Sequence, residues 1–268
     1  MDPAAVTDLE STLRLLTDGE IAVEGRLVDA SNATLYCSVT LDGLSAACVY
    51  KPVAGERPLW DFPDGTLAGR EVAAYVVSEA TGWHLVPPTV LRDGPLGPGM
   101  CQLWIDADDT AALVDVVPQG RAPAGWLGVL DALGPGGRPV ELVHADTAGL
   151  RRMGVLDAVI NNADRKGGHV LPTPDGGLYG VDHGVCFSVD DKLRTVLWGW
   201  AGERVDDDAL EVLERLQVDL VGDLGTRLAE LLTRREVRRT QQRVERLLRQ
   251  GTYPLPGEGW PAIPWPPF

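Results

Sequence analysis

The sequence predicts an α+β chain built in two lobes. Three observations point there. Residues 20–105 read as strand, strand, strand, helix, strand, strand, a small antiparallel sheet carrying one helix. Asp106-Ala107-Asp108-Asp109 then forms an acidic connector. Beyond it helical spacing dominates, interrupted by a short strand pair near 169–182. The expected units are an N-terminal lobe over 1–105 and a mainly helical C-terminal lobe over 106–268.

Residues 7–17 place Leu9, Leu13, Leu15 and Leu16 at helical positions. Residues 20–29 read as a strand, and Ser31-Asn32-Ala33-Thr34 as a turn of small polar residues. Leu35 to Leu41 and Leu44 to Tyr50 are strands joined by Asp42-Gly43, a hairpin signal. Lys51 ends the third strand. A loop over 52–65 leads to a helix from Leu67 to Thr81, stopped before Gly82. Leu67, Val72, Ala73, Val76, Val77 and Ala80 form its apolar stripe, with Glu71 one position off it. Strands follow at Val86 to Leu91 and Gly99 to Ile105.

In the second lobe, helices are expected at about 124–133 and about 147–161. Asp206-Asp207-Asp208 favours a helix N-terminus through the dipole, and Leu210, Leu213 and Leu216 continue it. Residues 226–250 read as one helix with seven arginines between 234 and 249, expected to be a solvated face. The segment after Gly251 carries six prolines and two tryptophans, so it is expected to pack irregularly along the surface.

Composition narrows the function. A net charge of −15 argues against nucleic acid, whose phosphates demand cationic surface, and against strong association with anionic membranes. Four cysteines without CxxC spacing, three of them among apolar neighbours, suggest a reduced, cytoplasmic protein without structural zinc. Met1-Asp2-Pro3 lacks the features of a secretory signal, and no apolar run approaches the ~20 residues of a membrane helix.

The most informative stretch is Asn162-Ala163-Asp164-Arg165-Lys166-Gly167-Gly168-His169, followed by Asp182-His183-Gly184. Between them, Pro172-Thr173-Pro174-Asp175-Gly176-Gly177 would turn two short strands into a hairpin. That hairpin brings Asp164, His169 and Asp182 toward one end. An acid, a second ligand and another acid on one loop platform is how a nucleotide-dependent phosphotransferase holds metal and orients a hydroxyl. The competing interpretation is a polar loop of turn formers without chemistry. Lysine usage adds a hint. Of 24 basic residues only Lys51, Lys166 and Lys192 are lysine, and lysine offers a compact charge on a flexible stem.

Asp164-Arg165-Lys166-x-x-His169 with Asp182-x-Gly184 resembles the catalytic and metal loops of phosphatidylinositol 3- and 4-kinases, which read Asp-Arg-His-x-x-Asn and Asp-x-Gly. The wider chain is similar to an actinobacterial family that itself resembles those lipid kinases. The resemblance implies a protein-kinase-like fold, ATP as cofactor and Mg²⁺ or Mn²⁺ as metal. It implies that Ser31, Asn32, Ala33 and Thr34 cover the phosphates and that Lys51, paired with Glu71, reaches them. It implies that Gln102, Leu103, Trp104 and Ile105 form the adenine hinge. Asp164 matches the catalytic aspartate, with Arg165 and Lys166 beside it, and Asp182 matches the metal aspartate. His169 falls where the family has a metal-binding Asn. Lys166 and His169 depart from the family pattern, and imidazole suits Mn²⁺ better than Mg²⁺.

The resulting expectation is a kinase acting on a soluble hydroxyl-bearing small molecule, with inositol- and polyol-type compounds as candidates. A pseudokinase-type nucleotide-binding scaffold and a kinase-fold enzyme for nucleotidyl transfer are the alternatives.

Overall fold

A computed structural model describes residues 8–27 and 32–268. Helix α1 (Leu9–Asp18) opens on Asp8, whose carboxylate accepts the Ser11 amide at 2.9 Å. That satisfies one of the orphan donors every helix start presents. Leu15 and Leu16 of α1 are buried on a five-stranded sheet. The sheet holds β1 (Glu20–Arg26), β2 (Leu35–Leu41), β3 (Leu44–Pro52), β4 (Thr89–Gly94) and β5 (Gly97–Leu103). Its order is β1-β2-β3-β5-β4, antiparallel throughout. Asp42 and Gly43 both take positive φ, as the tight β2–β3 hairpin requires.

The last residues of the strand expected over 20–29, and Ser31 of the following turn, lie outside the described residues. The strands expected at 86–91 and 99–105 run instead over β4 and β5. Pro87 and Pro88 have no amide to donate, so the ladder begins at Thr89.

Helix α2 (Leu67–Thr81) starts where Thr66 accepts the Gly69 amide and Glu56 accepts the amides of Leu67 and Ala68. It ends at Gly82, left-handed at φ 73°. It packs against β4 and β5 on one side, and against α3 (Ala148–Ile160), α4 (Asp207–Asp219) and α5 (Asp223–Leu228) on others. The main apolar core therefore runs from α2 into the second half of the chain without a break, while α1 and the sheet enclose a smaller one. Burial on nearly every side explains why Glu71 is only 2% exposed.

The second half departs from a mainly helical expectation. Residues Trp126–Leu133, expected as helix, form strand β7. It pairs with β8 (Pro139–Ala145), which pairs with β6 (Val114–Pro118), in a three-stranded antiparallel sheet. Two features oppose a helix there. Gly128 lies mid-segment, and the flanks Pro123-Ala124-Gly125 and Gly134-Pro135-Gly136-Gly137 are turn formers. The apolar spacing alone fits either structure.

The hairpin appears as expected, with β9 (Val170–Pro172) antiparallel to β10 (Leu178–Gly180). The single helix expected over 226–250 is instead α5 and α6 (Arg234–Gln250). Thr233 and Glu236 form a reciprocal capping box that starts α6 afresh. Its arginine row is only partly solvated. Arg243 is 2% exposed and gathers with Arg239 and Arg246 around Asp191. Arg70 of α2 meets Glu236 at 2.6 Å, so α6 is also tied to the first lobe. Among the described residues no helix is long and apolar enough to cross a membrane. All four cysteines are free and buried.

Candidate functional site

Three segments distant in sequence meet beside the five-stranded sheet. Lys51 on β3 reaches Glu71 Oε1 of α2 at 2.7 Å and also pairs with Asp182, 131 residues away. Glu71 uses its other oxygen to accept the His183 amide at 2.8 Å. One buried carboxylate thus positions both the strand lysine and the loop after β10. Gly184 keeps that contact close, since a Cβ there would meet Leu67 at 3.3 Å.

Charge follows from this geometry. Burial opposes a charge on Lys51, but Glu71 and Asp182 outweigh it and raise its pKa above the ordinary lysine range. Lys51 in turn holds the Asp182 carboxyl well below the usual carboxylate range, despite the opposing effect of burial. Asp182 itself sits in left-handed backbone at φ 60°. That conformation is uncommon for a non-glycine residue and recurs where structure holds a functional side chain in place.

His169 Nε2 lies 3.4 Å from Asp182 Oδ2. Burial pushes its pKa down, so the ring is neutral at neutral pH. Its Nδ1 is buried without a hydrogen-bond partner among the described residues. Asp164 opens the same loop. Its amide donates to Asn162 Oδ1 at 2.9 Å, and its carboxylate stays 31% exposed, 3.3 Å from Lys166 Nζ. The structure therefore gathers Lys51, Glu71, His169 and Asp182 by direct contact, with Asp164 and Lys166 on the adjoining loop.

Arg165 was expected beside the catalytic aspartate, and the structure gives it a different place. It is 0% exposed and reaches no open site. Its Nε donates to Asp157 at 2.9 Å and its Nη2 to Asp157 at 2.9 Å and His183 Nε2 at 2.7 Å. Its Nη1 donates to the carbonyls of His169 and Val181, each at 3.2 Å. All five donors of the guanidinium are matched. Arg165 is a positioning residue that ties α3 to both ends of the hairpin, and hence to His169 and Asp182.

The expected adenine hinge is reduced. Gln102 is 4% exposed, is paired in the sheet with Val49 and Thr89, and gives its side-chain amide to Thr89 Oγ1. It faces no open site, because β5 lies between β3 and β4 and Gln102 is buried there. The amides of Leu103 and Trp104 are taken by the carbonyls of Pro88 and Ala47. Trp104 stacks edge-on against Tyr36 at 5.0 Å. Trp104 and Ile105 are the hinge residues past the end of β5.

In the expected phosphate-covering turn, Asn32 accepts the Arg57 amide at 2.9 Å and Ala33 donates to the Gly55 carbonyl at 3.3 Å. Thr34 is buried, at 5% exposure.

Sequence reasoning missed Asp157 and Asn162, which build the buried half of the site. Asn162 Nδ2 donates to Asp157 Oδ1 at 3.0 Å, and both are fully buried. Their polarity at the end of an apolar helix was the available signal. It also missed the surroundings of Lys192. That side chain is 2% exposed, meets Asp61 at 2.7 Å, and lies 3.9 Å from the Trp260 ring centre with Trp60 and Phe62 nearby. The scarcity of lysine had pointed at it without showing these partners.

Solved structures place this architecture. The Golgi casein kinase, in a crystal structure with Mn/ADP bound, aligns at TM-score 0.55 and 14% identity, over 91% of this chain and 76% of that one. Hydra Fam20, solved with sugar, aligns at TM-score 0.54 and 13% identity, over 90% and 87%. The fold is protein-kinase-like. No family model matches the sequence. Protein Rv2133c of Mycobacterium tuberculosis (strain ATCC 25618 / H37Rv) is 51% identical over 273 residues, covering 98% of each chain. The chain belongs to the same family as Rv2133c. Phosphatidylinositol 4-kinase gamma 4 of Oryza sativa subsp. japonica is 24% identical over 236 residues, covering 75% of this chain and 36% of that protein.

Proposed function

We propose that the protein is an ATP-dependent phosphotransferase whose acceptor is a soluble hydroxyl-bearing small molecule. One observation carries this: Lys51 is held by both Glu71 and Asp182, with His169 at the other oxygen of Asp182. The kinase-like fold and the distant rice relative, named as a phosphatidylinositol kinase, support it.

The donor set fits a metal shared with nucleotide. Asp182 is ionised and His169 is neutral, so both offer lone pairs. The described residues contain no cluster of three or more His, Cys, Asp or Glu suited to a metal. Phosphate oxygens and water would have to complete the coordination, as is usual for nucleotide-bound Mg²⁺. The imidazole tilts the preference toward Mn²⁺. When bound, the metal supplies charge neutralisation at the phosphates.

The chain's own groups supply the rest. Lys51 brings positive charge to the phosphates. Glu71 keeps Lys51 aimed and fixes the loop bearing Asp182. Asp164 accepts the proton of the acceptor hydroxyl and orients that oxygen. Lys166 adds positive charge on the acceptor side. Arg165 holds the platform rigid. The catalytic benefit comes from positioning and fixed charge.

A nucleotide-binding scaffold without transfer is the second reading, motivated by Lys166 and His169 in the catalytic loop. Binding separates neither reading from the other, so turnover decides between them. Lys51→Met tests the site common to both. It should weaken ATP binding about tenfold or more, a loss of about 1.4 kcal/mol, in a calorimetric titration with Mn²⁺. Unchanged ATP affinity in a folded Lys51→Met protein would remove Lys51 from the site.

A further inference from the structure

The segment Trp260–Phe268 lies against the catalytic loop. The Gly167 amide, three residues past Asp164, donates to the Pro267 carbonyl at 2.8 Å. The Phe268 ring sits directly on Gly167, where an added Cβ would be 2.3 Å from the ring. A side chain at position 167 would displace that ring.

The same segment is fastened to residues 192–198, which follow the Asp182 loop. Lys192 faces the Trp260 ring at 3.9 Å. The Thr195 amide and Trp198 Nε1 both donate to the Ala262 carbonyl, at 3.0 and 2.8 Å. Arg194 Nε donates to the Pro261 carbonyl at 3.0 Å. The Arg165 amide donates to the Arg194 carbonyl and the Val196 amide to the Arg165 carbonyl, so loop and segment share one platform.

The backbone of this segment is fastened, but the ring at its end is not enclosed. Phe268 remains 49% exposed, on the loop that carries Asp164 and Lys166. We propose that Trp260–Phe268 is the acceptor-side wall of the site, with the Phe268 ring contacting the acceptor. This rests on the phosphotransferase reading and deepens it. Of the donors on 194–198 that an extended peptide would use, the Thr195 amide, Arg194 Nε and Trp198 Nε1 are already engaged by this segment, and the Arg194 and Val196 amides by the catalytic loop. The acceptor is a small compound that sets an apolar C–H face on the ring and a hydroxyl on Asp164. Aromatic side chains line small-molecule sites for this reason, giving contact area without a matching polar demand.

The test uses the full chain with Mn²⁺ and ATP. Phosphoryl transfer is read by mass spectrometry against small polyhydroxyl compounds, an unstructured serine-containing polypeptide and phosphatidylglycerol vesicles. The expected result is transfer to a small polyhydroxyl compound only. Phe268→Ala should raise the KM for that compound about tenfold while kcat and nucleotide affinity hold, and Phe268→Tyr should restore it. The proposal is overturned by an unchanged KM in Phe268→Ala. It is equally overturned by transfer to polypeptide or vesicles, in the wild type or on removal of the ring. Nucleotide binding with no small acceptor phosphorylated overturns it while leaving the nucleotide site intact. Absence of nucleotide binding removes the phosphotransferase reading itself.

Discussion

Arg165→Ala will lower the stability of the folded chain by about 3–5 kcal/mol, the cost of breaking a buried ion pair. The reason lies in what is left behind. Asp157 is 0% exposed and has Arg165 as its principal counter-charge, with Asn162 alone remaining to donate to it. The Val181 carbonyl and the Nε2 of His183 would lose the Arg165 donor together, and the His169 carbonyl would keep the Val181 amide. Arg165→Lys should recover little, because one ammonium with three donors cannot reproduce a planar fork with five. Chemical denaturation of both variants checks this. A loss below about 1 kcal/mol in Arg165→Ala would mean that the brace is dispensable.

Asp164→Asn will reduce transfer about 10²–10⁴-fold while leaving nucleotide affinity close to that of the wild type. The carboxylate is 31% exposed and, among the described residues, pairs only with Lys166. The amide has nearly the same shape but cannot take the acceptor proton. Single-turnover kinetics with binding measured in parallel separates the two effects. Nucleotide affinity falling in step with transfer would place Asp164 among the phosphate or metal contacts instead.

The parts of the site legible in sequence are those set by local chemistry. Helix α2 carried its own signals, an apolar stripe over Leu67–Thr81 and a stop at Gly82, so Glu71 was placed correctly on a helix facing the core. The hairpin of β9 and β10 followed from Pro172 to Gly177, and with it the approach of His169 to Asp182. What could not be read depends on partners far along the chain. Trp126–Leu133 has apolar spacing compatible with a helix, and only pairing with β8 makes it a strand. Arg165 stands between Asp164 and Lys166, which suggests chemistry. Its burial comes from Asp157 on α3 and from His183 beyond the hairpin. Gln102 ends a strand that looked like a hinge, yet its neighbours Val49 and Thr89 enclose it. The wall formed by Trp260–Phe268 was invisible because proline-rich sequence carries no periodicity to say where it docks.

The central claim is that Lys51, Glu71, His169 and Asp182 form a metal-dependent nucleotide site. A calorimetric titration of ATP into wild type and Asp182→Asn, each with Mn²⁺ and with a chelator, tests it most directly. The expected result is Mn²⁺-dependent binding to the wild type and none to Asp182→Asn. Equal binding by both proteins, or no binding by the folded wild type with Mn²⁺ or Mg²⁺, would contradict it.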